Sequence, residues 1–315
     1  MRVLVVDDDP VILDLLRVIL QQEGHESIHV AESGQAALDI LGRKDDVFDV
    51  LILDIAMPSM DGITLCRKIR DLPAYADTPI IMLTAKSDSL SIESAFAAGA
   101  NDYITKPFDV KGIGVRIQIA ERMMREGCKT YSIDSQKVLL TGTAGSHDFD
   151  LGDPVRINKI SQHTDPFSLG NYLSQLARTR VDKTSVFAAK IGSFKDYYES
   201  CTSQELLVLI SEVWNGISSS ADNSRLLGAY VGSGTFICIA TDDVQEVWPA
   251  MEHQIGSYLD NSEAVNTSGL SSGISVTLGR PFRPNASKTK RVRPTFDRAL
   301  SLLERRLKIG AAINR

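Results

Sequence analysis

Between residues 3 and about 125, short and nearly continuous apolar runs alternate with stretches whose apolar residues recur every three or four positions. The runs VLVV (3–6), SIHV (27–30), VLILDI (50–55), PIIMLTA (79–85) and DYIT (102–105) are predicted strands. The segments between them, such as PVILDLLRVILQQEG (10–24), carry the helical period, with Asp9 and Pro10 as N-cap and first-turn residue and Gly24 as the stop. Strands this apolar, alternating with helices, predict a parallel sheet covered on both faces: an α/β, doubly wound (βα)5 unit. In such sheets the functional residues gather beyond the carboxyl ends of the strands.

The pattern then changes. Residues 126–164 are polar, with glycine and aspartate and scattered apolar positions, and read as a linker with room for a small hairpin. From 165 to 315 the order is a helix (168–178), strand SVFAAKI (185–191), a helix (203–217), strands RLLGAYV (225–231) and TFICIA (235–240) around a GSG turn, a helix (244–259), strand GISVTLG (273–279) and a last helix (295–308). From first strand to last this is βαββαβ, the ferredoxin-like α+β order. The GSG turn is followed directly by a strand rich in β-branched and aromatic residues, so it reads as a hairpin bend and not as the Gly-rich opening of a dinucleotide-binding helix.

Composition narrows the classes. The chain has 315 residues, 43% hydrophobic and 23% charged, enough for about two domains with cores of their own. No apolar run approaches the roughly 20 residues of a membrane span, and acids at 7–9 stand where a signal peptide would be apolar, so a cytoplasmic protein without membrane contact is expected. Four scattered cysteines (Cys66, Cys128, Cys201, Cys238) suggest buried thiols without disulfides or zinc. A formal net charge of −6 argues against DNA as a partner, and the basic run SKTKRVRP (287–294) is expected to be a solvated loop.

Charge at the strand ends of the first unit has no packing rationale. Asp7 and Asp8 follow the first strand, Asp54 the third, Thr84 the fourth and Lys106 the fifth. Three carboxylates make a hard-oxygen site suited to Mg²⁺, and with a hydroxyl and an ammonium they form a phosphoryl-binding set in which an aspartate can act as nucleophile.

The motifs VLVVDDDP, LILDIAMPSMDG, PIIMLTA and YITKPF, in this order and spacing, resemble the receiver domain of two-component response regulators over residues 1–125. The resemblance implies a flavodoxin-like fold with Asp54 as phosphoacceptor, Asp7, Asp8 and the Ala56 backbone carbonyl as Mg²⁺ ligands, and Thr84 and Lys106 contacting the phosphoryl group. It further implies Pro107 as a cis proline, Tyr103 as an aromatic switch beside Thr84, a sensor histidine kinase or phosphotransfer protein as donor, and a homodimer through the receiver.

DPFSLGNYL, KIGSFKDYYE, YVGSGTF, ISVTLG and FDRAL resemble the GGDEF domain of diguanylate cyclases over about 165–312, including Phe194, Lys195, Gly232 and Phe236. The catalytic positions depart from that family. Lys190 stands where one metal-binding acid should be, and Gly234 and Thr235 where the turn acids should be. Guanine-reading positions fall on Tyr198 and Gln204, and Asn223 and Leu226 replace the product-inhibition motif. A lysine within ~5 Å of the site would repel Mg²⁺. The resemblance therefore implies a degenerate output domain without cyclase activity, acting on an unknown downstream protein. The alternatives are a receiver-controlled diguanylate cyclase, or a sensor of GTP or cyclic di-GMP.

Overall fold

The computed structural model describes residues 1–313 apart from 44–46, 86–88, 109, 127, 134–141, 159, 177, 222–224, 242–243, 269, 271–272 and 288–290. Asn223 and part of the basic run lie outside the described residues. The chain divides into two units, Met1–Cys128 and Lys129–Arg315.

In the first unit the order is β1 (Arg2–Val6), α1 (Pro10–Gln22), β2 (Ser27–Ala31), α2 (Gly34–Leu41), β3 (Val50–Asp54), α3 (Gly62–Arg70), β4 (Ile80–Ala85), α4 (Ser89–Ala97), β5 (Asp102–Lys106) and α5 (Val110–Glu126). The strands form one parallel sheet in the order β2-β1-β3-β4-β5. Five parallel strands with helical crossovers give the flavodoxin-like architecture. Local chemistry starts α1 as expected: the Asp9 carboxylate accepts from the Val11 N–H (2.9 Å), Pro10 fills the first turn, and Gly24 follows with φ +90°. Every residue of β3 is buried, with Leu51 and Leu53 on one face and Val50 and Ile52 packed with Leu13, Leu16 and Ile117 on the other. Arg70, also buried, donates to the carbonyls of Gly99, Tyr75 and Thr78 and to Asn101 Oδ1 at 2.7–3.0 Å, which ties α3 to the segments flanking β4.

The second unit runs β6 (Lys129–Tyr131), β7 (Val155–Ile157), β8 (His163–Thr164), α6 (Pro166–Gln175), α7 (Arg178–Val181), β9 (Ser185–Ile191), α8 (Phe194–Ser200), α9 (Ser203–Ser220), β10 (Leu226–Tyr230), β11 (Thr235–Ala240), α10 (Trp248–Asp260), α11 (Glu263–Thr267), β12 (Val276–Leu278) and α12 (Val292–Ile313). Its main sheet is mixed, in the order β12-β9-β11-β10-β8. One face, with Phe187, Ile191, Phe236 and Cys238, packs with Trp214 and Ile217 of α9 and Met251 and Ile255 of α10. On the opposite face α12 lies along β9 and α6 along β10.

The linker expected over 126–164 is corrected here. Its scattered apolar residues are strand and core positions: β6 pairs with β7 in parallel, β8 pairs with β10, and Phe149, Val155 and Ile157 enter the core of the second unit. Strands of two or three residues are too short to carry a readable period. The last helix is longer than 295–308, because apolar spacing marks its packed face and not its solvated ends.

At one edge of the main sheet β12 is closed by side chains. Glu252 Oε1 accepts from the Leu278 N–H (2.6 Å), and Arg306 donates to the Leu278 carbonyl (2.5 Å) and to both Glu252 oxygens. At the other edge His163 is buried, 5.6 Å from the Trp214 ring and 6.3 Å from Phe236, and neither ring nitrogen has a hydrogen-bond partner among the described residues. Burial, with the Arg156 charge adding to it, pushes its pKa down to about 3.

That ring sets an acid dependence. The unfolded chain takes up a proton near pH 6.5 and the folded chain does so only near 3. Stability is therefore undiminished by this group above 6.5 and falls, by up to about 1.4 kcal/mol per pH unit, as pH drops from 6.5 toward 3. His163→Phe keeps an aromatic ring and removes the titration. Between pH 6.5 and 5 the unmodified protein should lose about 2 kcal/mol more than the variant in urea unfolding; equal losses would show that the ring is paired or hydrated.

Candidate functional site

β1, β3, β4 and β5 are parallel neighbours, so their carboxyl ends share one edge, and the polar residues that end them meet there. Asp7, Asp8 and Asp54 each offer a carboxylate oxygen within 4.8 Å of the others; among the described residues they are the one group of three acids, histidines or cysteines so placed. Asp7 and Asp54 are buried, at 0% and 3% exposure, while Asp8 faces solvent. The Lys106 ammonium reaches in from β5, 2.8 Å from Asp7 Oδ2 and 2.5 Å from Asp54 Oδ1. Thr84 is buried on β4, paired in register with Thr105.

The electrostatics follow from crowding. Burial pushes the Asp54 carboxyl above the usual range and the nearby Asp7 charge adds to this, while hydrogen bonds from Lys106 and the Ala56 backbone N–H and the Lys106 charge oppose it. Burial alone would lower Lys106, but hydrogen bonds to Asp54 and Asp7 and their charges outweigh it, so the ammonium is held above its ordinary value. Three carboxylates against one ammonium leave net negative charge in a partly dry site. The oxygen-only donor set and the single solvent-facing member suit a small divalent cation that keeps some of its water.

The remaining expected residues also fall at this edge. Ala56, two residues past Asp54, turns its N–H to the Asp54 carboxylate. Tyr103 is buried with its ring edge-on to Phe96 at 6.2 Å, and burial, reinforced by Asp102, pushes its pKa up to about 12. The Lys106–Pro107 peptide bond is cis. Sequence reasoning overlooked Gly62. A Cβ there would lie 2.0 Å from the Asp54 carbonyl oxygen, so the loop after the nucleophile can fold back only with glycine at this position. The signal was present in the DG pair that opens α3, where Asp61 caps the helix through the Thr64 N–H.

In the second unit the GSG turn links β10 to β11 as a hairpin, with φ +94° at Gly232, +51° at Ser233 and +71° at Gly234. Its N–H groups are engaged: Ser233 donates to the Leu151 carbonyl (2.6 Å), Gly234 to Tyr230 Oη (2.9 Å) and Thr235 to the Gly232 carbonyl (3.0 Å). Lys190 lies beside Thr235 in register and donates to the Ser233 carbonyl and to Thr235 Oγ1. No carboxylate pairs with it among the described residues, and burial lowers its pKa. Tyr198 Oη donates to the Phe149 carbonyl (2.8 Å) and Gln204 Nε2 to the Ser132 carbonyl (3.4 Å). The chemistry of this hairpin is thus satisfied from within the chain.

Residues 3–118 match the family model of the response regulator receiver domain. Among curated proteins, the transcriptional regulatory protein YvrH of Bacillus subtilis is 39% identical over 37% of this chain and 47% of its own length. The DNA-binding response regulator MtrA of Mycolicibacterium smegmatis is 36% identical over 37% of this chain and 49% of its own. The chain spans about half the length of these curated relatives. Among solved structures, a putative response regulator from Chloroflexus aurantiacus is 34% identical, with 40% of this chain and 98% of that one covered at a TM-score of 0.36.

A cation held by Asp7, Asp8 and Asp54 binds the folded state alone and must stabilise it. Millimolar Mg²⁺ should raise the unfolding free energy of the first unit, by about 2.7 kcal/mol at a hundredfold excess over the dissociation constant. Asp8→Asn should remove most of that gain, and an equal gain in the variant would place the cation elsewhere.

Proposed function

We propose that the first unit, a response regulator receiver domain over residues 3–118, accepts a phosphoryl group on Asp54 from a histidine kinase or phosphotransfer protein. The observation that carries this reading is the placement of Asp54: a buried carboxylate at a strand end, 2.5 Å from the Lys106 ammonium and within 4.8 Å of two further carboxylates. An Asp54 oxygen attacks phosphorus in line, the P–O bond forms, and the donor imidazole leaves with the electron pair of the broken P–N bond. Lys106 already spans Asp7 and Asp54 and is placed to neutralise charge on the transferred oxygens. Mg²⁺ on Asp7, Asp8 and Asp54, with the Ala56 carbonyl, would supply the remaining positive charge.

The phosphoryl group adds negative charge and acceptor oxygens at a site that repels both. The Thr84 hydroxyl, one strand away, is the group we assign to answer it, and Tyr103 on the next strand the ring that follows. Burial of Tyr103 against Phe96 gives the ring a defined starting position. The resulting change falls on α4, β5 and α5, the face we assign to receiver dimerisation.

We read the second unit as a ferredoxin-like, GGDEF-like domain that has lost its chemistry and acts through a protein contact. Support comes from the strand order β12-β9-β11-β10, which is 4-1-3-2 in βαββαβ numbering, and from Lys190 where the cyclase resemblance requires an acid. Engagement of Ser233, Gly234, Tyr198 and Gln204 within the chain argues against the cyclase and nucleotide-sensor alternatives. The MtrA match names a DNA-binding protein; retardation of duplex DNA by the full chain would replace the protein-contact reading with that one.

Two measurements test these assignments. Incubated with a labelled small-molecule phosphodonor and Mg²⁺, the chain should take up label that Asp54→Asn abolishes, and label persisting in the variant would move the acceptor. GTP and cyclic di-GMP, titrated calorimetrically, should give neither binding nor turnover at micromolar protein. Turnover would make the second unit an enzyme despite Lys190.

A further inference from the structure

Within the second unit α9, α10 and α11 border an open cavity of about 650 Å³, whose lining includes Glu212, His253, Tyr258, Ser262 and Glu263. The volume falls in the range of small-molecule sites, roughly 300–1,000 Å³. None of its lining residues belongs to β9 or to the GSG hairpin. Glu212 is half-buried, and three neutral donors hold its carboxylate: Asn215 Nδ2 to Oε1 (3.0 Å), and Ser262 Oγ (2.6 Å) and Tyr258 Oη (3.3 Å) to Oε2. Those donors are themselves fixed. Ser262 is the N-cap of α11, its Oγ accepting from the Val265 N–H (3.3 Å). The Tyr258 ring lies against α9, where a Cβ on Gly216 would stand 3.2 Å from Tyr258 Cδ1. Burial, with the Glu212 charge adding to it, pushes the Tyr258 pKa up, so its hydroxyl remains a donor.

What the Glu212 carboxylate lacks is a counter-charge. Among the described residues no lysine, arginine or histidine pairs with Glu212 or with the exposed Glu263, and no lysine or arginine lines the cavity. A carboxylate drawn out of water is costly unless a positive charge answers it, and neutral donors orient it without cancelling its charge. A single metal ion does not fit here, because Glu212, His253 and Glu263 are not a group whose three ligand atoms lie within 4.8 Å of one another. The negative charge is spread instead over a cavity far larger than an ion, with the Tyr258 ring and Ala264 as apolar wall.

We propose that this cavity binds a small aliphatic diamine, with one ammonium on Glu212, the other on Glu263, and the methylene chain along Tyr258 and Ala264. An ammonium brings the donors and the charge that the oriented Glu212 oxygens still accept, and an aromatic ring beside it adds attraction. Because the carboxylate is positioned before the ligand arrives, little ordering cost is left to binding. Glu263 directly follows Ser262, the residue that holds Glu212, so the two carboxylates belong to one rim. A ligand with two separated charges uses both, and one with a single charge leaves a carboxylate unanswered. The site involves no residue of the receiver and is independent of phosphorylation at Asp54.

Calorimetric titration of the full chain with putrescine and with butylamine tests this, in excess Mg²⁺ so that the acids at the receiver's strand ends are occupied. Putrescine should bind at one site and about tenfold more tightly than butylamine, which can answer only one carboxylate. Glu212→Gln keeps the side chain's shape and removes its charge, and should weaken putrescine binding about tenfold. Glu263→Gln, at an exposed position where the fold is indifferent, should weaken it about threefold and bring putrescine closer to butylamine. No binding of putrescine by the unmodified chain overturns the proposal. So does equal affinity for the two amines, which would remove the second contact. Affinity unchanged in both variants also overturns it, because the amine would then be held by acidic surface elsewhere.

Discussion

Like charges forced together at the carboxyl edge of the first sheet are the constraint on which the rest of the molecule turns. Asp7 and Asp54 are buried side by side, and the carboxylate of Asp8 joins them from the solvent side. A buried carboxylate costs several kcal/mol unless it is compensated, and one ammonium, Lys106, is all that the described strand ends supply. The edge is consequently under-neutralised and waits for positive charge from outside. Its geometry is held by groups that have nothing to do with charge: the apolar strands that bring four ends together, and Gly62, where a Cβ would stand 2.0 Å from the Asp54 carbonyl oxygen.

The second unit solves the opposite problem. Its hairpin turn, lysine and tyrosine could each engage a ligand, and each is instead engaged by the chain itself. The first unit holds unmet electrostatic demand at its strand ends, whereas the hairpin of the second is engaged from within the chain. Of the residues that follow α5, Phe149, Val155 and Ile157 are part of the second unit's own core, with Tyr131 packed against it.

The first unit was legible because β1, β3 and β4 are runs of four apolar residues followed at once by Asp7, Asp54 and Thr84, so period and chemistry coincide at the same positions. The second unit's strands and helices were legible in order, but its edges were not. β6, β7 and β8 are two or three residues long, and Phe149 and Ile157 gain their meaning from partners outside any local period, Tyr131 and Tyr198 for the first and Tyr131 for the second. Gly62 was missed because its reason is a contact with a backbone carbonyl, which no side-chain pattern announces. His163 was unremarkable as a letter; its oddity, a ring with no partner for either nitrogen among the described residues, arises from being walled in by Trp214 and Phe236.

The Glu252–Arg306 pair has a consequence for company as well as for packing. A sheet's rim is a template, since any peptide with free N–H and C=O groups can add itself as the next strand. At Leu278 both groups are spent on side chains, so this end of β12 offers no free pair to a further strand. Cutting that pair, by Arg306→Ala for example, would free the Leu278 carbonyl and unseal the border of the sheet, turning it into a seam along which copies could stack and precipitate.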